Sequence, residues 1–357
     1  MSAGAVIPEP EHETIEVRPD ERFDETAVAD YLRGKLPGAE APLSVRQFGG
    51  GAANLTYELD YGEHVYVLRR PPLGPIAPKS HDMAREHTVL SRIHEAYDPA
   101  PRSFLLCEDD SLIGAPFFVM ARRYGVVVRR RMPEAYAGVP DAALRLGGAL
   151  VDGLARLHAV DFVALGLEDL GKPAGFIERQ VQGWFGRWER AKAGDLPAMD
   201  LAHRWLTENV PVDSPPALIH NDYKLDNSMF AADDPGRLVA VFDWDMATLG
   251  DPLSDLGTLL TYWIDGDDPE EVRAFSPMPH DAVGFPSRAD VTERYASVSG
   301  RDVSNISFYH VLGLYRVAVI LAQIHIRWVR GQTGDDRFAG LGDLVELVAA
   351  RAADLTR

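Results

Sequence analysis

A chain of 357 residues, 46% hydrophobic and 25% charged, has ample material for a packed core and, at roughly 150 residues per domain, for two domains or lobes. That composition, with 31 glycines and 25 prolines, excludes collagen, coiled coil and wholesale disorder. Its 36 basic and 54 acidic side chains leave a formal charge of −18, which repels nucleic acid and anionic membranes, so neither is expected as a partner.

Cys107 is the only cysteine, which rules out an intrachain disulfide and a thiolate zinc cluster and suits a reducing, cytoplasmic setting. Residues 1–24 read as a loose leader, because Met1 to Glu21 is acidic and proline-bearing and lacks the basic flank and apolar run of a secretory signal. From Leu43 the pattern alternates. Leu43 to Phe48 and Leu55 to Leu59 predict strands around Gly49-Gly50-Gly51, and Val65 to Leu68 predicts a third after the turn Asp60-Tyr61-Gly62. Prolines 71, 72, 75 and 78 forbid regular structure up to Ser80. Met83, Val89, Leu90 and Ile93 then mark a short amphipathic helix, and Ile113 to Met120 a strand whose Pro116 favours its start or a sheet edge. Strands with a helix make residues 25–121 a small α+β lobe.

Residues 122–357 read as a larger, mainly helical lobe. Leu146, Leu150, Leu154 and Leu157 recur at helical spacing behind Asp141, a residue able to cap. Further helices are expected around Arg179 to Lys192, Leu253 to Trp263 and Tyr309 to Arg330. The last contains the most apolar stretch, Val311 to Ile326, which is too short and too interrupted for a bilayer span and reads as a buried helix. Two strand-like runs, Ala217 to Ile219 and Leu238 to Phe242, break the helical pattern, and an acidic, proline-bearing insert spans Asp265 to Asp290.

Both runs end in polar clusters. One leads into His220-Asn221-Asp222-Tyr223-Lys224-Leu225-Asp226-Asn227, the other into Asp243-Trp244-Asp245. Phosphoryl transfer needs a carboxylate to orient the attacking hydroxyl and take its proton, and oxygen ligands for magnesium on the nucleotide phosphates. Asp222 suits the first task, and Asn227 and Asp243 the second. Upstream, Gly49 to Asn54 lies between two strands, where glycines let backbone amides approach phosphate oxygens. It lacks the Gly-Lys-Ser/Thr ending of a P-loop, which favours a hairpin lid over ATP.

The loop His220 to Asn227 with the strand ending at Asp243 resembles the aminoglycoside phosphotransferase and choline kinase branch of the protein-kinase-like fold, and the match runs from about Val45 to Leu256. The resemblance implies a two-lobed α+β fold, with a small β-rich N-lobe and a larger helical C-lobe. It implies an ATP- and Mg2+-dependent kinase acting on a hydroxyl of a small molecule. By that resemblance Asp222 is the catalytic base, His220 braces its loop, Asn227 and Asp243 hold magnesium with Asp245 in support through water, and Asp255 is structural. Gly49, Gly50, Gly51 and Asn54 cover the nucleotide. Arg69, paired with Glu86, stands where the family usually has lysine, with Arg70 as alternate. Ala121 and Arg123 are the hinge contacts to adenine.

Leu68-Arg69-Arg70-Pro71-Pro72, Leu157-His158-Ala159-Val160-Asp161 and Gly331-Gln332-Thr333 are similar, within that family, to kinase-like domains associated with acyl-CoA dehydrogenases, a subgroup implicated in phosphorylating hydroxyacyl-CoA-type acceptors. Such an anion would use Arg129 to Arg131 or Arg179. A polycationic aminoglycoside would use Asp265 to Glu271, and choline an aromatic box from Trp184, Trp188 and Trp205. Two other classes compete. Val241 to Asp245 also resembles the nucleophile strand of haloacid-dehalogenase-type phosphatases, although Ala247 stands where that motif has Thr or Val. A non-catalytic nucleotide binder is kept open by the missing strand lysine.

Overall fold

The computed structural model describes residues 13–49, 54–73, 82–266, 268–280, 282–333 and 338–357. The chain divides by internal packing into two units. The smaller holds the described part of residues 6–124 together with Phe242–Ala247, and the larger holds residues 125–241 and 248–357.

The smaller unit contains β1 (Thr14–Ile15), α1 (Glu25–Leu32), β2 (Ser44–Phe48), β3 (Leu55–Asp60), β4 (Val65–Arg70), α2 (Met83–Ile93), β5 (Ser103–Cys107) and β6 (Phe117–Ala121). Its strands form one antiparallel sheet in the order β1-β2-β3-β4-β6-β5. In β3 the period-two pattern works as expected, burying Leu55, Tyr57 and Leu59. Those residues join Leu68, Phe117, Val119 and, from α1, Val28 and Leu32 in one core. Leu68 sits in that core, so its neighbour Arg69 faces the other side of the sheet. Asp82 caps α2 through the Arg85 amide, and Met83, Val89, Leu90 and Ile93 are buried as their spacing predicts.

Three readings change here. Thr14 and Ile15, assigned from sequence to a loose leader, pair with Phe48 and Gln47, because two β-branched residues complete an otherwise open sheet edge. The strand expected from Ile113 starts only at Phe117, after Pro116, and lies inside the sheet between β4 and β5 rather than at an edge. Helix α1 and strand β5 were not anticipated.

The larger unit contains β7 (Val126–Val127), α3 (Ala142–His158), α4 (Phe176–Ala191), α5 (Pro197–Glu208), β8 (Ala217–Ile219), β9 (Ser228–Ala231), β10 (Asp234–Val241), β11 (Thr248–Gly250), α6 (Leu253–Tyr262), α7 (Glu270–Phe275), α8 (Arg288–Ser299), α9 (Ile306–Val329) and α10 (Leu341–Asp354). The two strand-like runs belong to different ladders, β8 with β11 and β10 with β9 and β7. Helix α9 is the apolar one, and 67% of its most apolar window is buried inside the fold, against α6, α10 and α4. Asp141 precedes α3 in the left-handed region (φ 52°), and its side chain makes no cap bond, contrary to its reading as a cap. The acidic insert is built rather than loose: Asp268 is buried and bound by Arg288 and Arg351, and Asp265 accepts the Arg288 amide.

Candidate active site

In the larger unit the reactive loop is the crossing from β8 to β9. β8 is fully buried and fixes the start of the loop, and Asp255 of α6 fixes its first two residues. That carboxylate is completely buried and accepts the amides of His220 and Asn221, each at 2.7 Å, and His158 Nε2 at 3.2 Å. Burial alone would push Asp255 up, but the His158 hydrogen bond leads the contacts that hold it below the usual carboxylate range. Burial lowers His158 while Asp255 opposes the shift, and its Nδ1 lies 2.7 Å from the Tyr295 hydroxyl. Asp255 is structural, as the resemblance implies.

His220 is fully buried, and its Nδ1 accepts the Asp222 amide at 3.3 Å. It braces the loop and does not reach solvent. Asn221, between them, takes a left-handed backbone (φ 66°). Asp243 does the same (φ 70°), so two of the three described non-glycine residues with positive φ flank or form the candidate site, where such strain concentrates.

The donors around Asp222 are unevenly placed. Asn227 Nδ2 lies 2.8 Å and Lys224 Nζ 3.0 Å from the same oxygen, Oδ2. Oδ1 takes no hydrogen bond among the described residues, so Asp222 is held in place by one oxygen and presents the other. Asn227 also donates to the Asp222 carbonyl at 2.9 Å, which leaves its amide oxygen as an acceptor. Sequence reasoning passed over Lys224. Its signal was the i, i+2 spacing from Asp222, which in extended chain returns a side chain to the same side. Burial pulls Lys224 down, but Asp226 and Asp222 outweigh it and hold the ammonium above its usual range. Burial pushes Asp226 up.

In the smaller unit, Arg69 of β4 and Glu86 of α2 are both buried, with Arg69 Nε 3.2 Å from Glu86 Oε2. Glu86 Oε2 takes no hydrogen bond among the described residues, so this contact is one of charge. Arg69 also binds the Asp243 carboxylate through Nη2. Helix α2 positions Asp243: Glu86 Oε1 accepts the Trp244 amide at 3.3 Å, and Arg85 Nε donates to the Ala247 carbonyl at 2.8 Å. Trp244, fully buried against Tyr97, anchors the acidic turn. Burial pushes Glu86 up to about 7, Arg69 opposes the rise, and Asp243 and Asp245 add to it, so Asp245 belongs to this electrostatic cluster.

The other assigned residues fare differently. Gly50 and Gly51 lie outside the described residues. The Gly49 amide is 3.4 Å from the Glu13 carbonyl, and Asn54 is buried. Arg70 is spent on the Ile113 carbonyl at 2.8 Å, which removes it as the alternate to Arg69. At the expected hinge, the Ala121 amide bonds the Arg102 carbonyl and the Arg123 carbonyl accepts from Arg122. Arg179, exposed, bonds the carbonyls of Ala174 and Lys172 at the start of α4. Trp184 and Trp188 are core residues and Trp205 stacks on Phe308, so no choline box forms from them. The phosphatase reading fails as well, because β10 lies in an antiparallel ladder and Asp243 is held by Arg69. Among the described residues no group of three His, Cys, Asp or Glu gathers to hold a metal alone. In the smaller unit Asp243 and Asp245 are oxygen donors of the kind a hard cation takes, and magnesium needs only one or two carboxylates from protein. Asn227 belongs to the larger unit.

Comparison with known proteins gives one family. A model of the APH phosphotransferase enzyme family matches residues 44–287. The chain is 31% identical over 357 residues to acyl-CoA dehydrogenase family member 11 of Gallus gallus, covering 96% of this chain and 45% of that one. It is 31% identical to acyl-CoA dehydrogenase family member 10 of Mus musculus, covering 96% and 32%. The chain thus spans less than half the length of these curated relatives. Among solved structures, a putative aminoglycoside phosphotransferase from Ralstonia eutropha JMP134 superposes with a TM-score of 0.80 at 30% identity, covering 94% of this chain and 98% of that one. Aminoglycoside phosphotransferase APH(4)-Ia, solved with AMP-PNP and hygromycin B, shares the fold with a TM-score of 0.55 at 18% identity, over 91% and 98% of the two chains. With its sheet-rich smaller unit, its helical larger one and its reactive loop, this chain belongs to the APH phosphotransferase enzyme family and has the kinase-like α+β fold.

Proposed function

We propose that the protein is an ATP- and magnesium-dependent kinase that transfers the γ-phosphoryl group to a hydroxyl of a small molecule. The observation that carries this reading is the divided environment of Asp222: Oδ2 is clamped by Asn227 and Lys224, while Oδ1 is open to accept a proton. In the step proposed, the acceptor oxygen attacks the γ-phosphorus, its proton passes to Asp222 Oδ1, and the bond to the ADP leaving group breaks. Lys224 and Arg69 supply positive charge for phosphate oxygens, Arg69 through a planar fork where lysine would be a point charge. Asp243, with Asp245 in support, would hold magnesium, which when bound neutralises phosphate charge, and the amide oxygen of Asn227 is proposed as a further donor.

Relatives that carry acyl-CoA dehydrogenase names over a longer chain support a hydroxyacyl-CoA-type acceptor. Of the acids offered to an aminoglycoside, Asp265 and Asp268 are engaged by Arg288, whereas Glu270 and Glu271 are exposed. The test is mass spectrometry of products from a library of hydroxyacyl-CoAs and aminoglycosides incubated with ATP and magnesium. A phosphorylated hydroxyacyl-CoA that needs both reagents is expected. A phosphorylated aminoglycoside instead would overturn the acceptor, and nucleotide binding without product from any acceptor would overturn the kinase.

A further inference from the structure

Charge in the larger unit is distributed against the overall balance at one place. Arg187, one turn along α4 from Trp184, carries its guanidinium 4.4 Å from the centre of that indole, and Arg316 of α9 brings a second guanidinium to 5.4 Å from the same ring. Trp184 is buried and is held by its own Nε1 donating to Gln180 at 3.2 Å, so it forms a fixed floor for both cations. Arg187 makes no ion pair with a carboxylate among the described residues. Burial, then Arg190 and Arg316, lower its tendency to stay charged, so three arginines crowd one another in a molecule of net charge −18. A cation over an aromatic face gains only modestly where it stays in contact with water, and like charges brought together call for an anion.

One tyrosine lies within electrostatic reach of both Arg316 and the reactive loop. Tyr262, at the end of α6, lies with its ring centre 5.2 Å from Lys224 Nζ, and its buried hydroxyl feels Lys224, Asp222 and Arg316. We propose that Arg187 and Arg316, gathered on Trp184, form an acceptor subsite for an anionic group, phosphate or carboxylate, of the molecule whose hydroxyl meets Asp222. This rests on the kinase reading above and deepens it by giving the acceptor a charge. Two planar guanidiniums suit bidentate anion binding.

The test is calorimetry on the full chain saturated with magnesium and AMP-PNP, titrated with 3-hydroxybutyryl-CoA, 3-hydroxybutyrate and kanamycin. Wild type should bind the CoA ester and reject kanamycin. Binding of the free hydroxyacid as well makes the carboxylate sufficient, whereas binding of the ester alone makes the phosphates the recognised anion. Arg187→Ala and Arg316→Ala should each weaken the anion about 10-fold or more, as expected for loss of a charged hydrogen bond. Arg187→Lys, which keeps a cation beside Trp184, should retain part of that affinity. AMP-PNP affinity should be unmoved in all three variants. Wild type that binds neither anion, binds kanamycin instead, or binds the ester as tightly after Arg187→Ala and Arg316→Ala would overturn the subsite while leaving the kinase reading intact. Failure to bind AMP-PNP at all would reject the kinase reading and the subsite with it.

Discussion

Asp222 and Asp243 are both acids in tight turns, yet their surroundings give them different work. Asp222 has one oxygen pinned by Asn227 and Lys224, and Asp243 is paired with Arg69 from the sheet. Asp243→Ala is therefore expected to weaken magnesium-nucleotide binding and rate together, read as a rise in the dissociation constant of magnesium-AMP-PNP beside the loss of turnover. Glu86 gives a pH prediction. Its folded value lies above the ordinary 4.5, at about 7, so the folded state holds the protonated form more tightly. The stability it contributes is fully present below 4.5 and is lost as pH rises through about 7. Urea unfolding across that window should show wild type losing stability relative to Glu86→Gln as pH rises, and parallel curves would contradict the assignment. At this scale much was legible. Asp222, Asn227 and the Arg69–Glu86 pair are evident from motif and spacing. The commitment of Arg70 to the Ile113 carbonyl is not, because whether a guanidinium is spent on a nearby carbonyl depends on tertiary contacts that spacing does not encode.

Elements hold these residues in place, and α6 does most of it. Asp255 ties the backbone of His220 and Asn221 to α6 and, through His158 and Tyr295, to α3 and α8. Asp255→Ala leaves two buried amides and an imidazole without their acceptor, and a loss of about 3 kcal/mol or more is expected in urea unfolding. A change under about 1 kcal/mol, the net worth of one ordinary hydrogen bond, would show that the loop is held by other means. Helix α6 also crosses α9 closely enough that a Cβ on Gly257 would overlap the Tyr309 carbonyl, while one on Gly313 would overlap Thr261. Gly257→Ala should cost about 1–3 kcal/mol by overpacking, despite the better helix propensity of alanine. The periodic elements α2, α3, β3 and α9 were readable because their apolar faces repeat. β1 and β5 were not, since a two-residue strand and an irregular five-residue one carry too little pattern, and Asp141 shows that a capping residue type does not ensure a cap.

At the scale of the molecule, the family match and the two units give the same fold, and the chain corresponds to less than half of its curated relatives. By its place in the sequence Phe242–Ala247 falls in the larger lobe. By packing the segment belongs with α2, because Trp244 and Ala247 bond to Glu86 and Arg85, contacts across more than 150 residues of sequence. The proposed chemistry turns on Asp222 as the proton acceptor of phosphoryl transfer. The direct test is the rate of γ-phosphoryl transfer from labelled ATP to the best acceptor by wild type and Asp222→Ala, with nucleotide affinity measured alongside. A loss of roughly 10²–10⁴-fold or more, with affinity nearly unchanged, is expected for removal of a general base. Transfer by Asp222→Ala at the wild-type rate would contradict it.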